Sequence, residues 1–301
     1  MNINGYRLNT GTLTAWGKRL IPDLEWFFFV KMISGVEMNP LQSLDRSSMP
    51  LDIRTSYATW ALSNETEYYA RMSQLAFSNL AVSLQSEIIR QQWTAGRGLV
   101  FELEELIELA GVSRDSLPGV SIDDNKEIVL LHRPVWETFT VLERHRFLVN
   151  YGALWVNEAA HWDKVKKDNQ TSIKMKYPHI LEKIDEFPKS NGPNCLAAVA
   201  AALTRNEAFF YKWMKEEEFM GVIKEANYEP FENERIEEGD VLIWFNDVDQ
   251  ITHSCFVLNN ELAFNKQGQT MFNPWQVLKL ADIIKSWELP GIYFIPYRKH
   301  Q

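Results

Sequence analysis

Asn194-Cys195-Leu196-Ala197-Ala198-Val199-Ala200-Ala201-Ala202-Leu203 is apolar nearly all round once past its first two residues. A helix of that composition has no face to give to water, so it is expected in the middle of a domain. Asn194 is a good N-cap residue, which starts the helix at Cys195 and puts the thiol in the first turn. There the free backbone N–H groups and the positive end of the macrodipole favour a nearby anion. A thiolate is the reactive form of cysteine, so the position suits a nucleophile as well as a buried structural residue.

Working outward, the 301 residues contain 46% apolar and 13% aromatic side chains, enough for a large core and about two domains. Only two cysteines occur, so no disulfide framework is indicated. The N-terminus lacks an apolar stretch of signal length, and Trp26-Phe27-Phe28-Phe29-Val30 is too short to span a bilayer. The reading is a soluble, cytoplasmic protein that does not engage membranes. Net charge is −9; from Leu181 onward 12 Lys+Arg stand against 19 Asp+Glu, or −7. Such an acidic half argues against a phosphate-backbone ligand, so nucleic acid is not an expected partner.

Patterning divides the chain near residues 170–190. Before it, helices are expected over 12–33 with a break or kink at Pro22, and over 55–62, 65–93, 99–110 and 134–167, with one short strand at 127–131. After it come the 194–203 helix, a helical pair over 206–226, strands at 240–245, 251–258 and 261–266, a helix at 274–287 and a last strand at 292–297. The fold class is therefore α+β, a mainly helical domain of unknown role at 1–175 preceding an α+β domain at 176–301.

Pro193-Asn194-Cys195 opening a helix, then Glu238-Gly239-Asp240-Val241-Leu242-Ile243-Trp244, then His253 near the start of a strand, resembles the NlpC-type branch of papain-like cysteine peptidases. The likeness covers roughly 185–301, and the Gly-Asp turn before a strand is its most specific part. It implies a central helix packed on an antiparallel sheet, and a Cys-His-polar triad that hydrolyses an amide bond, with no cofactor. Some relatives transfer acyl groups instead. The usual Asp-Cys-Ser-Gly string is here Asn194-Cys195-Leu196-Ala197, which leaves the substrate class open.

The residue that orients His253 depends on hairpin register. A two-residue turn at 259–260 pairs 253 with 266 and turns Asn265 to the wrong face. A three-residue loop, 259–261, pairs 255 with 265 and puts Asn265 on the His253 face. The family spacing favours Asn265, with Gln267 in reserve. Asn191 is the candidate second oxyanion donor beside the Cys195 N–H. Cys255 shares the His253 face and is assigned to packing.

The expected function is thus a cysteine hydrolase. His253 takes the Cys195 proton, the thiolate attacks a small peptide or other amide-containing substrate, and water releases the thioacyl intermediate. A non-catalytic binding protein on a peptidase-like frame, or an acyltransferase, are the alternatives. The N-terminal domain would shape the cleft or recruit a protein partner. No metal site is expected: Glu158 and His161 give a single Glu-x-x-His pair, and His132, His145, His179 and His300 have no ligand spacing with the cysteines. Gly96-Arg97-Gly98 lacks the rest of a phosphate-loop fingerprint.

Overall fold

The computed structural model describes residues 1–54, 59–232 and 235–300. The chain forms two compact units, Met1–Thr12 with Trp155–Gln301, and Leu13–Leu154. The boundary therefore falls at 154/155 and not at 175/176. The first twelve residues also belong with the C-terminal unit, a non-local association that no linker composition could reveal.

The chain opens with a two-stranded ribbon, β1 (Asn2–Ile3) and β2 (Tyr6–Arg7), followed by α1 (Thr10–Leu20). In the Leu13–Leu154 unit the expectation of a mainly helical domain needs correction. β3 (Leu24–Phe29), β4 (Asn39–Pro40), α2 (Leu51–Arg54) and β5 (Tyr68–Ser73) come first, and β3, β5 and β4 form an antiparallel sheet in that order. Next are α3 (Gln74–Ser78), α4 (Val82–Thr94), β6 (Val100–Glu102), α5 (Leu103–Ala110), β7 (Ser121–Asp123) and β8 (Lys126–Leu130). A second antiparallel sheet has the order β6-β8-β7. α6 (Arg133–Thr138) and α7 (Val141–Ala153) close the unit, α7 through a Thr140–Glu143 capping box. The helices expected over 12–33, 65–93 and 134–167 are thus each broken by strands, turns or loops. The one expected over 55–62 lies partly outside the described residues. At the centre of this unit Arg97 and Glu25 form a buried ion pair.

The other unit carries the site. It contains α8 (Lys167–Lys176), α9 (Cys195–Thr204) and α10 (Glu216–Glu225). After them come β9 (Tyr228–Pro230), β10 (Val241–Phe245), β11 (Ile251–Val257), β12 (Leu262–Lys266), β13 (Trp275–Lys279), α11 (Leu280–Ser286) and β14 (Tyr293–Lys299). The six strands make one antiparallel sheet, β13-β12-β11-β10-β14-β9. The stretch expected as a helix over 274–287 is a strand followed by a shorter helix.

Strand periodicity divides the side chains of this sheet between two cores. Val241, Ile243, Phe256, Phe264 and Val277 pack with the buried residues of α9. Leu242, Trp244, Cys255, Val257, Ala263 and Leu278 pack on the other face with Leu280 and Ile283 of α11. α9 lies against β11 and β12, and its residues 195–202 are all buried, which is why the sequence could be alanine-rich and apolar all round. Among the described residues, no helix is long and apolar enough to cross a membrane.

Candidate functional site

α9 starts where the cap predicts. Asn194 Oδ1 accepts the Ala197 N–H at 3.1 Å, and its Nδ2 donates to the Met214 carbonyl at 2.8 Å. Cys195 therefore sits in the first turn, 9% exposed. Burial pushes its thiol above the ordinary range. Hydrogen bonds at Ser254 and Leu196 and the positive charge of Lys266 act in the opposite direction without overcoming it.

The hairpin register is the three-residue one. Phe256 pairs with Phe264 and Val257 with Ala263, and the Leu258 N–H donates to the Leu262 carbonyl, leaving 259–261 as the loop. Asn259 Oδ1 closes it by accepting the N–H groups of Glu261 and Leu262, both at 2.9 Å. Asn265 consequently shares the face of His253, as the register argument required.

That face is the wrong one for Cys195. His253 pairs directly with Trp244, whose side chain belongs to the α11-side core, and its ring stacks on Trp287 at 4.4 Å and 10°. Trp244 lies against it at 5.3 Å. Cys195 belongs to the α9-side core, where the neighbouring β11 and β12 residues are Ser254 and Lys266. The structure thus brings His253 and Asn265 together and leaves Cys195 across the sheet from both. The alternation of a strand explains the outcome: the residue of β11 that meets the start of α9 is 254, one place on from the histidine.

His253 is 1% exposed, and burial holds its pKa at about 3, with the Asn265 side chain pulling weakly upward. Neither Asn265 amide atom nor His253 Nε2 completes a well-formed hydrogen bond. The imidazole is a neutral, aromatic-packed core residue. Gln267 donates to Glu158 at 3.2 Å and is not engaged with His253. Asn191 commits its Oδ1 to the Met271 N–H at 2.8 Å, which ties the strand of chain before α9 to the loop after β12. Cys255 is wholly buried, as expected of a packing residue, and both cysteines are free.

The Gly-Asp turn has a structural explanation. Gly239 takes φ +92°, in the region that favours glycine, and Asp240, 1% exposed, receives Arg298 of β14 on both carboxylate oxygens at 2.9 Å. Glu158 and His161 lie in irregular chain and not on a helix, and no cluster of metal-ligating side chains occurs among the described residues.

The sequence places Lys266 in a stretch, 266–269, that could border the cleft but gives it no chemical role. Lys266 is fully buried on the α9 side, with Nζ donating to the carbonyls of Gly268 at 2.9 Å and Thr270 at 3.3 Å. Desolvation lowers its pKa to about 7, against a smaller opposing effect of Cys195. The signal was present in β12: Leu262 and Phe264 face α9, so the next position in that alternation is 266.

Comparisons with protein-family models, with curated proteins and with solved structures find no match to this chain.

Proposed function

We propose that the unit formed by residues 1–12 and 155–301 is a non-catalytic binding domain built on a peptidase-like frame, a central helix against an antiparallel sheet. The observation that carries this reading is the separation of Cys195 from His253 by the sheet itself. A general base must reach the proton it removes, directly or through one water. A histidine held neutral by burial between two tryptophans is unsuited to that role, and a thiol pushed up by burial is unsuited to attack. The resemblance makes a small peptide or amide-containing molecule the ligand class. Two free cysteines are consistent with a reducing, cytoplasmic setting.

Alkylation by iodoacetamide, followed by peptide mass spectrometry across neutral pH, tests the reading. Native Cys195 is expected to react more slowly than N-acetylcysteine at every pH and to become ordinary on unfolding. Faster labelling that levels off below neutral pH would overturn it.

A second reading has one observation in its favour, the buried Lys266 on the Cys195 side. In this version a neutral Lys266 amine takes the thiol proton, the thiolate attacks an amide carbonyl, the lysine ammonium returns that proton to the amine that leaves as the C–N bond breaks, and water or another acceptor then releases the acyl group from the thioester. It preserves a cysteine hydrolase or acyltransferase with Lys266 in place of His253. Trapping of a thioacyl adduct on Cys195, lost in Lys266→Met and retained in His253→Phe, selects this reading over the first.

A further inference from the structure

A cavity of the binding unit has a lining that does not include Cys195. Its volume is about 570 Å³, within the range of small-molecule sites. His161, Lys164 and Lys166 enter it from the turn before α8, and Lys279 from the end of β13. Glu261, in the β11–β12 loop, is the one acid on its wall. Three lysines and a histidine around one acid make a positive pocket in a chain whose net charge is −9.

Among the described residues, no carboxylate lies within ion-pair distance of Lys164, Lys166 or Lys279, while Asp282 and Glu158 line the adjoining cavity that shares Lys279 and His161. His161 responds to this field. Its pKa is lowered by burial first, then by Lys279 and Lys164, with only Asp282 opposing. The N-terminus of α8 opens on the same space, since Lys166 and Asn169 both line it. Lys166 occupies the capping position with no side-chain acceptor for the first-turn N–H groups, although Asp168 in that turn offsets part of the helix end's positive potential. Val165, Leu262 and Ala281 supply an apolar wall.

We infer that this cavity binds a small organic dianion, its charges received by Lys164, Lys166, Lys279 and the start of α8 and its short apolar body laid on Val165 and Leu262. The inference deepens the binding-domain reading by assigning an anionic ligand to this cavity, in place of the peptide or amide that the resemblance implies, and it rests on the cavity's own residues and not on the state of Cys195. Phosphate monoesters and dicarboxylates share the required chemistry.

Calorimetric titration with phenyl phosphate, phthalate and benzylamine tests it. The full chain is expected to bind at least one dianion and not the amine, and phenyl phosphate against phthalate tells which source is preferred. Lys164→Gln with Lys279→Gln should weaken binding at least about tenfold, equivalent to about 1.4 kcal/mol, with an unchanged melting temperature. Absence of dianion binding at millimolar concentration, or equal binding by the double variant, overturns the site. Alkylation of Cys195 in the same samples separates the two proposals. A hyper-reactive thiol alongside tight dianion binding defeats the non-catalytic reading and leaves the pocket standing. An inert thiol without dianion binding does the reverse.

Discussion

His253 and Lys266 are both ionisable residues sealed in apolar surroundings, and each leaves a signature in stability against pH. A histidine has an ordinary pKa near 6.5, whereas His253 is held at about 3 and His132, in the other unit, at about 4. As pH falls below the ordinary value, the unfolded chain takes up protons that the native chain refuses, so native stability drops. At pH 5 each such histidine costs about 2 kcal/mol relative to neutral pH. His253→Phe, which keeps the stack on Trp287, should therefore show a smaller loss of urea midpoint between pH 7 and pH 5 than the wild type. Identical losses would mean that His253 titrates normally. Lys266 works in the alkaline range, because its native pKa of about 7 lies below the ordinary lysine value. Between them the unfolded chain holds a proton that the native chain has released, so stability rises with pH. Lys266→Met should remove that rise in melting temperature from pH 7 to pH 9, and parallel curves would contradict the burial described for Lys266.

At the scale of elements, α9 is the most constrained piece of the molecule. Ala198 is wholly buried between neighbours that are themselves buried, so Ala198→Leu should overpack the core and destabilise by about 1–3 kcal/mol in a denaturant titration. A neutral result would mean that α9 has room beside it. The same element was the most legible in the sequence, because an apolar run with an asparagine cap has few other solutions. The β11–β12 hairpin was legible as a hairpin, but its residues left two loop lengths open, and the spacing implied by the resemblance selected the three-residue loop that the structure has. The identity of the face that meets α9 was not legible, because alternation says which residues share a side but not which side is which. A bulge at Trp244/Phe245 shifts the pairing just beside His253, where the expectation failed. Strands were missed where helix-forming residues fill them. In β5, Tyr68, Ala70 and Met72 pack to one core and Tyr69 to another, a two-sided burial that Ala, Arg and Met disguise as helix. The Trp275–Lys279 strand runs directly into α11, so its apolar positions merge with the following helical period.

For the molecule as a whole, the discontinuous unit has a direct consequence. Tyr6 is wholly buried and its hydroxyl accepts from Gln276 Nε2 at 2.6 Å, while the Arg7 N–H donates to the Asp185 carbonyl at 2.7 Å. Chain 155–301 alone lacks these contacts, and a peptide of residues 1–12 added to it should raise its melting temperature. No effect of the peptide would contradict the assignment of the first twelve residues to that unit.

The central claim is that His253 and Cys195 face opposite sides of one sheet. Its most direct test is an NMR titration of the His253 ring nitrogens in the wild type and in Cys195→Ser. The account predicts a neutral imidazole from pH 5 to pH 8, with the same shifts in both proteins. An imidazole that titrates near neutrality, with a pKa that moves when the thiol is removed, would contradict it and restore the catalytic pair.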